Sequence, residues 1–213
     1  MIKLKSLRGI SNDMNVIPLF SSPVYTSKIE ENLDDVFNSI KKLKYIPANN
    51  YGTYTSETRD VLSTLPTLKD VLLNEFNSYK NTCLRYEDTE FFITTSWITK
   101  CIPNSTGHKH NHQNSLYSGV LYFQEGENFG GIRFSNENLM PQQILLNEPV
   151  EWNLLNSSSW VILPAPKELV IFPSYLFHEV TLHSADEDRY SLAFNLFPKN
   201  PLGKSDSLLD FNK

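Results

Sequence analysis

Cysteine is scarce in this chain. Cys83 and Cys101 are the only two among 213 residues, too few for a disulfide framework and without the paired spacing of a zinc finger. They read as ordinary thiols of a reducing compartment. No segment approaches the roughly 20 consecutive apolar residues of a membrane span. Within Met1 to Phe20, the residues Lys3, Lys5, Arg8, Asn12 and Asp13 break up any apolar run that could act as a signal peptide. A dense run of lysine or arginine is missing too. With 19 basic against 24 acidic side chains the net charge is -5, so no basic face tracks a phosphate backbone and nucleic acid is not an expected partner. Together these absences lead us to expect a cytoplasmic protein that does not engage a membrane.

Aromatic residues are abundant: 13 Phe, 10 Tyr and 3 Trp, with 40% hydrophobic and 20% charged residues overall, mark a globular chain that leans toward strands. At this length one well-filled core is expected. Val16 to Tyr25 reads as an extended first strand, because Pro18 and Pro23 each hold the preceding residue in the β region. Leu33, Val36, Phe37, Ile40 and Leu43 recur at helical spacing and predict a helix over Glu30 to Lys44. A second helix is predicted from about Leu68 to Tyr86, its apolar face formed by Leu68, Val71, Leu72, Phe76 and Tyr79 and its start capped by Thr67 with Asp70. The polar stretch Asn49 to Ser63 between the helices is expected to be a loop. From about residue 91 short β-rich runs follow: Phe91 to Ile102, Leu116 to Phe123, Ile132 to Phe134, Gln143 to Leu146, Trp160 to Leu163, Leu169 to Phe172, Phe177 to His183 and Arg189 to Phe197. Successive strands without intervening helices predict a double-sheet jelly roll, or cupin-like barrel. The fold class expected is therefore mainly β with N-terminal helices. The whole chain, 1–213, forms a single domain on this reading: residues 1–90 supply a strand and helices that pack on the barrel, 91–197 the jelly-roll core and 198–213 a polar tail. Trp97, Trp152 and Trp160 are expected to be core or pocket-wall aromatics.

Of the five histidines, three lie within five residues: His108, His110 and His112. On a strand they would share one face and could converge on one ion. A solvated loop is the competing reading. What favours a metal site is His178, which opens a β-rich run after the apolar segment ending at Phe172-Pro173, since a ligand from a distant strand closes a facial site in a barrel. His183 and Glu179 fall at odd spacing from His178 and face the other way. Arg189 and Ser191 share one strand face, and a guanidinium with a hydroxyl beside it suits a carboxylate. A surface salt bridge is the alternative for that arginine.

Taken in order, His110-Asn111-His112, Ser118-Gly119-Val120-Leu121-Tyr122-Phe123, Gly130-Gly131-Ile132-Arg133-Phe134, Phe172-Pro173-Ser174 with His178, and Arg189-Tyr190-Ser191 closing on Phe194-Asn195 resemble the 2-oxoglutarate and Fe(II)-dependent oxygenases. The opening Pro18-Leu19-Phe20 followed by Pro23-Val24-Tyr25 fits the small bacterial and phage branch of that superfamily. The resemblance implies Fe(II) held by His110, His112 and His178, which would also be the catalytic centre. It implies 2-oxoglutarate held by Arg189 and Ser191, with Tyr122 as a further donor and Val180 and Asn195 lining the pocket, and Gly130 and Gly131 in a tight turn of positive φ. His110 and His112 carry the family spacing to Ser118-Gly119, which leaves His108 a bystander. The implied reaction couples oxidative decarboxylation of 2-oxoglutarate to succinate with hydroxylation of a substrate, an amino-acid or prolyl side chain among the options, using O2, in a bacterial or phage-infected cell. The middle ligand departs from the family pattern, because most members carry His-x-Asp or His-x-Glu where His112 stands. Three neutral imidazoles leave such a site one charge more positive. Two other readings stay open: a three-histidine cupin-type dioxygenase that needs no 2-oxoglutarate, and a jelly-roll binding module without catalysis. The loops Asn49 to Ser63 and Asn136 to Trp152 are the expected specificity elements.

Overall fold

The computed structural model describes residues 17, 20–86, 88–126, 128–136, 149–199 and 201–211. Their elements run β1 (Tyr25–Lys28), α1 (Asp34–Ile40), β2 (Tyr45–Pro47), β3 (Thr53–Ser56), α2 (Pro66–Tyr79), β4 (Phe91–Cys101), β5 (Tyr117–Tyr122), β6 (Ile132–Ser135), β7 (Ser159–Ile162), β8 (Glu168–Pro173), β9 (Phe177–Val180) and β10 (Arg189–Pro198). A seven-stranded sheet has the order β1-β8-β5-β10-β4-β3-β2, and a three-stranded sheet the order β7-β6-β9. Every strand pair in both is antiparallel. The two sheets enclose a core of Tyr122, Val170 and Phe172 from the large sheet against Ile132 and Phe134 from the small one. This is a jelly roll.

Period-two alternation decides which side chains reach which layer. On β10 the outer set, Leu192, Phe194 and Leu196, joins Leu68, Leu72 and Phe76 of α2 and Ile40 of α1 in the larger apolar cluster. The inner set, Arg189, Ser191, Ala193 and Asn195, pairs in register with Cys101, Thr99, Trp97 and Thr95 of β4. On the other flank Ser191, Ala193 and Asn195 pair with Tyr122, Val120 and Ser118 of β5. Polar residues on the inner face of a long central strand are costly unless they are used, so the pattern itself marks where the chemistry sits. Leu72 and Phe76 are fully buried, each contributing about 1.5–3 kcal/mol from lost apolar exposure.

Several expectations need correction. The first strand begins only at Tyr25, where it pairs with β8. The first helix is shorter than predicted, Asp34–Ile40, and the second ends as regular α-helix at Tyr79, with a π-turn over Lys80–Leu84 and a left-handed Arg85 stopping it. Thr67 and Asp70 do not cap α2: the helix starts at Pro66, whose fixed φ suits the first helical position, and Leu65 before it makes no side-chain cap bond. The stretch from Asn49 to Ser63 is not all loop. Its Thr and Tyr residues form β3, which extends the large sheet beyond β4. Residues 143–146, expected as a strand, lie outside the described residues. Among the described residues no helix is long and apolar enough to cross a membrane.

Candidate metal centre and carboxylate pocket

His110 and His112 lie on no strand. The segment from Asn104 to His112 runs antiparallel to Ser174–His183 through irregular main-chain bonds: Asn104 N–H to His183 O at 2.7 Å, Gly107 N–H to Val180 O at 3.0 Å and His112 N–H to Ser174 O at 3.0 Å. His110 and His178 exchange both main-chain bonds, at 2.9 and 2.8 Å. Close approach explains Gly107, since a Cβ there would run into the backbone and side chain of Val180. The expected strand thus shrinks to one β-bridge, yet it brings His110 against His178.

One ligand atom from each of His110, His112 and His178 lies within 4.8 Å of the others. What each Nδ1 does decides whether the Nε2 lone pairs are available. His110 Nδ1 lies 3.0 Å from the carbonyl of His108, and His178 Nδ1 lies 2.9 Å from the carbonyl of Leu176. A carbonyl only accepts, so both Nδ1 atoms carry the proton and both Nε2 atoms are bare. His112 Nδ1 lies 2.6 Å from Asn195 Oδ1 and 2.8 Å from Ser118 Oγ. With its proton on Nδ1, the 3.2 Å approach of His112 Nε2 to His110 Nε2 sets two lone pairs against each other, an arrangement that a cation relieves. The donor set fits a divalent transition metal such as iron.

Burial pushes the His178 imidazole down to about 3, against the opposing bond to the Leu176 carbonyl. Burial also takes His112 down to about 4, against the opposing bond to Asn195, and lowers His110. Phe172 and Phe134 shield His178, with ring centroids 4.8 and 6.1 Å away. Trp97 stands 5.5 Å from His112, ring to ring. His108 is exposed and stacks 4.7 Å from His110 without joining the triad.

Further along the same sheet face, Arg189 is 1% exposed. Its Nη1 donates to Gly130 O at 2.9 Å and its Nη2 to Cys101 Sγ at 3.2 Å, while the Tyr122 ring lies 5.4 Å from Cζ. Its Nε is buried without a hydrogen-bond partner. Among the described residues no carboxylate pairs with this guanidinium. A buried cation left without an anion is expensive, and the uncompensated charge with its orphaned N–H fits a carboxylate ligand. Ser191 and Ala193, both small and buried, occupy the face between Arg189 and the triad.

Of the residues singled out in the sequence, the fold brings His110, His112 and His178 together, and groups Arg189, Ser191 and Tyr122 on the inner face. Asn195 stands apart from that second group and bonds His112 instead. Val180 packs on Gly107. Gly130 and Gly131 are not at positive φ; they are needed because a Cβ would strike the Thr181 carbonyl and the Ile162 carbonyl respectively. His183 is buried and bonds Glu187 O through Nε2 at 2.7 Å, and Glu179 pairs with Arg133 at 3.0 Å, so neither joins the triad. Trp97 is the pocket-wall aromatic, whereas Trp152 and Trp160 are 57% and 42% exposed and belong to no core. Sequence reasoning missed the hydroxyl relay behind His112: Ser118 Oγ to Ser174 Oγ at 2.8 Å, and Ser174 to Ser115 at 3.0 Å.

Residues 95–195 match the protein family described as "Putative 2OG-Fe(II) oxygenase". No curated protein matches the chain. Among solved structures, an oxidoreductase of the 2OG-Fe(II) oxygenase family from Burkholderia pseudomallei is similar at 14% identity and TM-score 0.55, over 77% of this chain and 76% of that one. HygX from Streptomyces hygroscopicus, solved with nickel and 2-oxoglutarate bound, aligns at 9% identity and TM-score 0.58 over 82% of each chain. A prolyl-4-hydroxylase from Pseudomonas putida aligns at 16% identity and TM-score 0.54, over 82% of this chain and 93% of that one. At such identities the likeness is one of fold.

Proposed function

We propose, on the premise that the core of this chain, residues 95–195, belongs to the 2OG-Fe(II) oxygenase family, that the protein is a dioxygenase in which His110, His112 and His178 hold Fe(II) and Arg189 anchors 2-oxoglutarate. The observation that carries this reading is the buried Arg189 guanidinium, which has no acidic partner among the described residues and stands on the sheet face that also carries the contacts of His112. A three-histidine site that needed no 2-oxoglutarate would have no use for it. When bound, the iron and 2-oxoglutarate supply the oxidising chemistry, with O2 consumed and 2-oxoglutarate decarboxylated to succinate. The chain's own residues bind and orient. His110, His112 and His178 would hold the ion, one imidazole nitrogen from each lying within 4.8 Å of the others. Arg189 neutralises the distal carboxylate of 2-oxoglutarate, Ser191 and Tyr122 add donors, and Phe134 and Phe172 keep water from His178. Hydroxylation of an amino-acid or prolyl side chain is the outcome we favour, the Pseudomonas putida neighbour being a prolyl-4-hydroxylase.

The test is spectroscopic. Anaerobic protein given Fe(II) and 2-oxoglutarate should develop a visible charge-transfer band, and Arg189→Ala should lose it at the same 2-oxoglutarate concentration. A protein shown to hold iron that gives no band, or a band unchanged in Arg189→Ala, overturns the reading.

A further inference from the structure

A carboxylate in the middle ligand position has no wrong tautomer, whereas an imidazole does. Protonated on Nε2, His112 would point an N–H at the metal position and could not ligate. His110 and His178 escape this ambiguity because main-chain carbonyls fix their Nδ1 protons. His112 has only side chains behind it. One of them, Ser118, is ambivalent: its hydroxyl can accept from Nδ1–H or donate to a bare Nδ1 at the same 2.8 Å. In the second arrangement Nε2 carries the proton and directs it at His110 Nε2, 3.2 Å away, which closes the site to a metal.

We infer that Asn195, with the serine relay behind it, is a positioning residue that holds the His112 proton on Nδ1 and so keeps Nε2 available as a ligand atom. The inference rests on the reading of the triad as metal ligands. Asn195 Oδ1 is a pure acceptor 2.6 Å from Nδ1. At its other end the carboxamide Nδ2 donates to Thr95 Oγ1 at 3.2 Å, so both ends of the side chain are hydrogen-bonded. A break in the register between β10 and β4 falls between Asn195 and Leu196, the kind of local bend that re-aims a side chain beside a site. The serines bias the ambivalent partner in the same sense. Ser115 donates to the carbonyls of Tyr117 and Leu196, at 2.8 and 3.2 Å, and Ser174 donates to Ser115 at 3.0 Å. Ser174 therefore has no hydrogen left for Ser118, whose own hydrogen goes to Ser174 or to Asn195 Oδ1, both 2.8 Å away. The relay thus draws the Ser118 hydrogen away from His112, and Nδ1 is left as the donor.

The experiment uses the full chain. Long-range 1H–15N correlation on metal-free protein with labelled histidine reports the His112 tautomer directly, and titration with Ni(II) reports ligation without turnover. Wild type should show Nδ1–H at His112. Asn195→Leu should lose that preference and bind Ni(II) about 10–100-fold more weakly, the usual cost of removing an outer hydrogen-bond partner of a metal-bound histidine. Asn195→Asp keeps an acceptor and should restore both tautomer and affinity, which a merely structural role would not predict. Wild-type His112 protonated on Nε2 overturns the inference even if no variant folds. So does Ni(II) affinity that is the same in Asn195→Leu as in wild type, or Asn195→Asp no tighter than Asn195→Leu. Failure of the underlying reading looks different: wild type then binds no Ni(II), or binds it equally well after His178→Ala.

Discussion

Arg189 Nη2 donates to Cys101 Sγ at 3.2 Å, deep in the sheet, where a weak acceptor stands in the place an acid would take in a structural ion pair. Among the described residues, therefore, the buried Arg189 charge is incompletely matched without ligand. Replacing it with a methionine of similar length removes that charge, a relief of several kcal/mol by the desolvation argument, and orphans the Gly130 carbonyl at a cost of about 1–3 kcal/mol. Arg189→Met should thus be at least as stable as wild type in denaturant titrations without ligand. Adding Ni(II) and then 2-oxoglutarate at about 100 times its Kd should stabilise wild type by about 2.7 kcal/mol and the variant not at all. A variant that is strongly destabilised without ligand and still responds to 2-oxoglutarate would refute the assignment.

Gly119 on β5 faces the helix layer opposite Phe194 of β10, and a Cβ there would overlap the Phe194 ring. The neighbour is a rigid aromatic side chain in a filled cluster, so it cannot give way as a flexible chain end would. Gly119→Ala should cost about 1–3 kcal/mol as overpacking and should push Phe194 and β10 toward the site, raising the Kd for 2-oxoglutarate. Denaturation midpoints and ligand titration check the two effects separately, and an unchanged midpoint would show that the ring has somewhere to go.

Long alternating strands were the most legible part of this chain. β4 and β10 appear within a residue of the runs read from Phe91 to Ile102 and Arg189 to Phe197, because eleven and ten residues leave the period no ambiguity. β3 was hidden: its Thr and Tyr side chains sit among Asn, Ser and Gly that read as a turn, and only its pairing with β4 makes it a strand. The spacing of His110, His112 and His178 announced convergence correctly while the reason given for it, a continuous strand, did not hold. Asn195 is expected to line the 2-oxoglutarate pocket, but nothing local foretells its hydrogen bond to His112, 83 positions away. Local periodicity reaches the strand and its face; which polar partner waits across the barrel depends on the packing of the two sheets.

Trp97 is the tryptophan beside the triad, its ring 5.5 Å from that of His112, while Trp152 and Trp160 are exposed elsewhere. A transition ion held by His112 should quench Trp97 through its close approach. Titrating Ni(II) into the protein should lower tryptophan fluorescence to a plateau at stoichiometric metal, with the response lost in Trp97→Phe and kept in Trp160→Phe. Quenching that persists in Trp97→Phe would place the ion somewhere other than the triad.

Proton counting gives the last test. Burial holds His178 near 3 and His112 near 4, and lowers His110 as well, whereas an unfolded histidine titrates near about 6.5. Above that pH the imidazoles are neutral in both states and contribute nothing to pH dependence. Below it the unfolded chain takes up protons that the folded chain refuses, so metal-free stability should fall as pH drops from about 6.5 toward 4, by a total on the order of a few kcal/mol. Metal changes the accounting. Three ordinary imidazoles at about pH 6 would together release on the order of two protons when a metal displaces them. Here His112 and His178 are already neutral at that pH, so Ni(II) binding measured by calorimetry in two buffers of different ionisation enthalpy should release less than one proton. Release of two protons would mean that the triad is solvated and charged before the metal arrives, and the burial that Phe134 and Phe172 impose on His178 would then have no consequence for ligation.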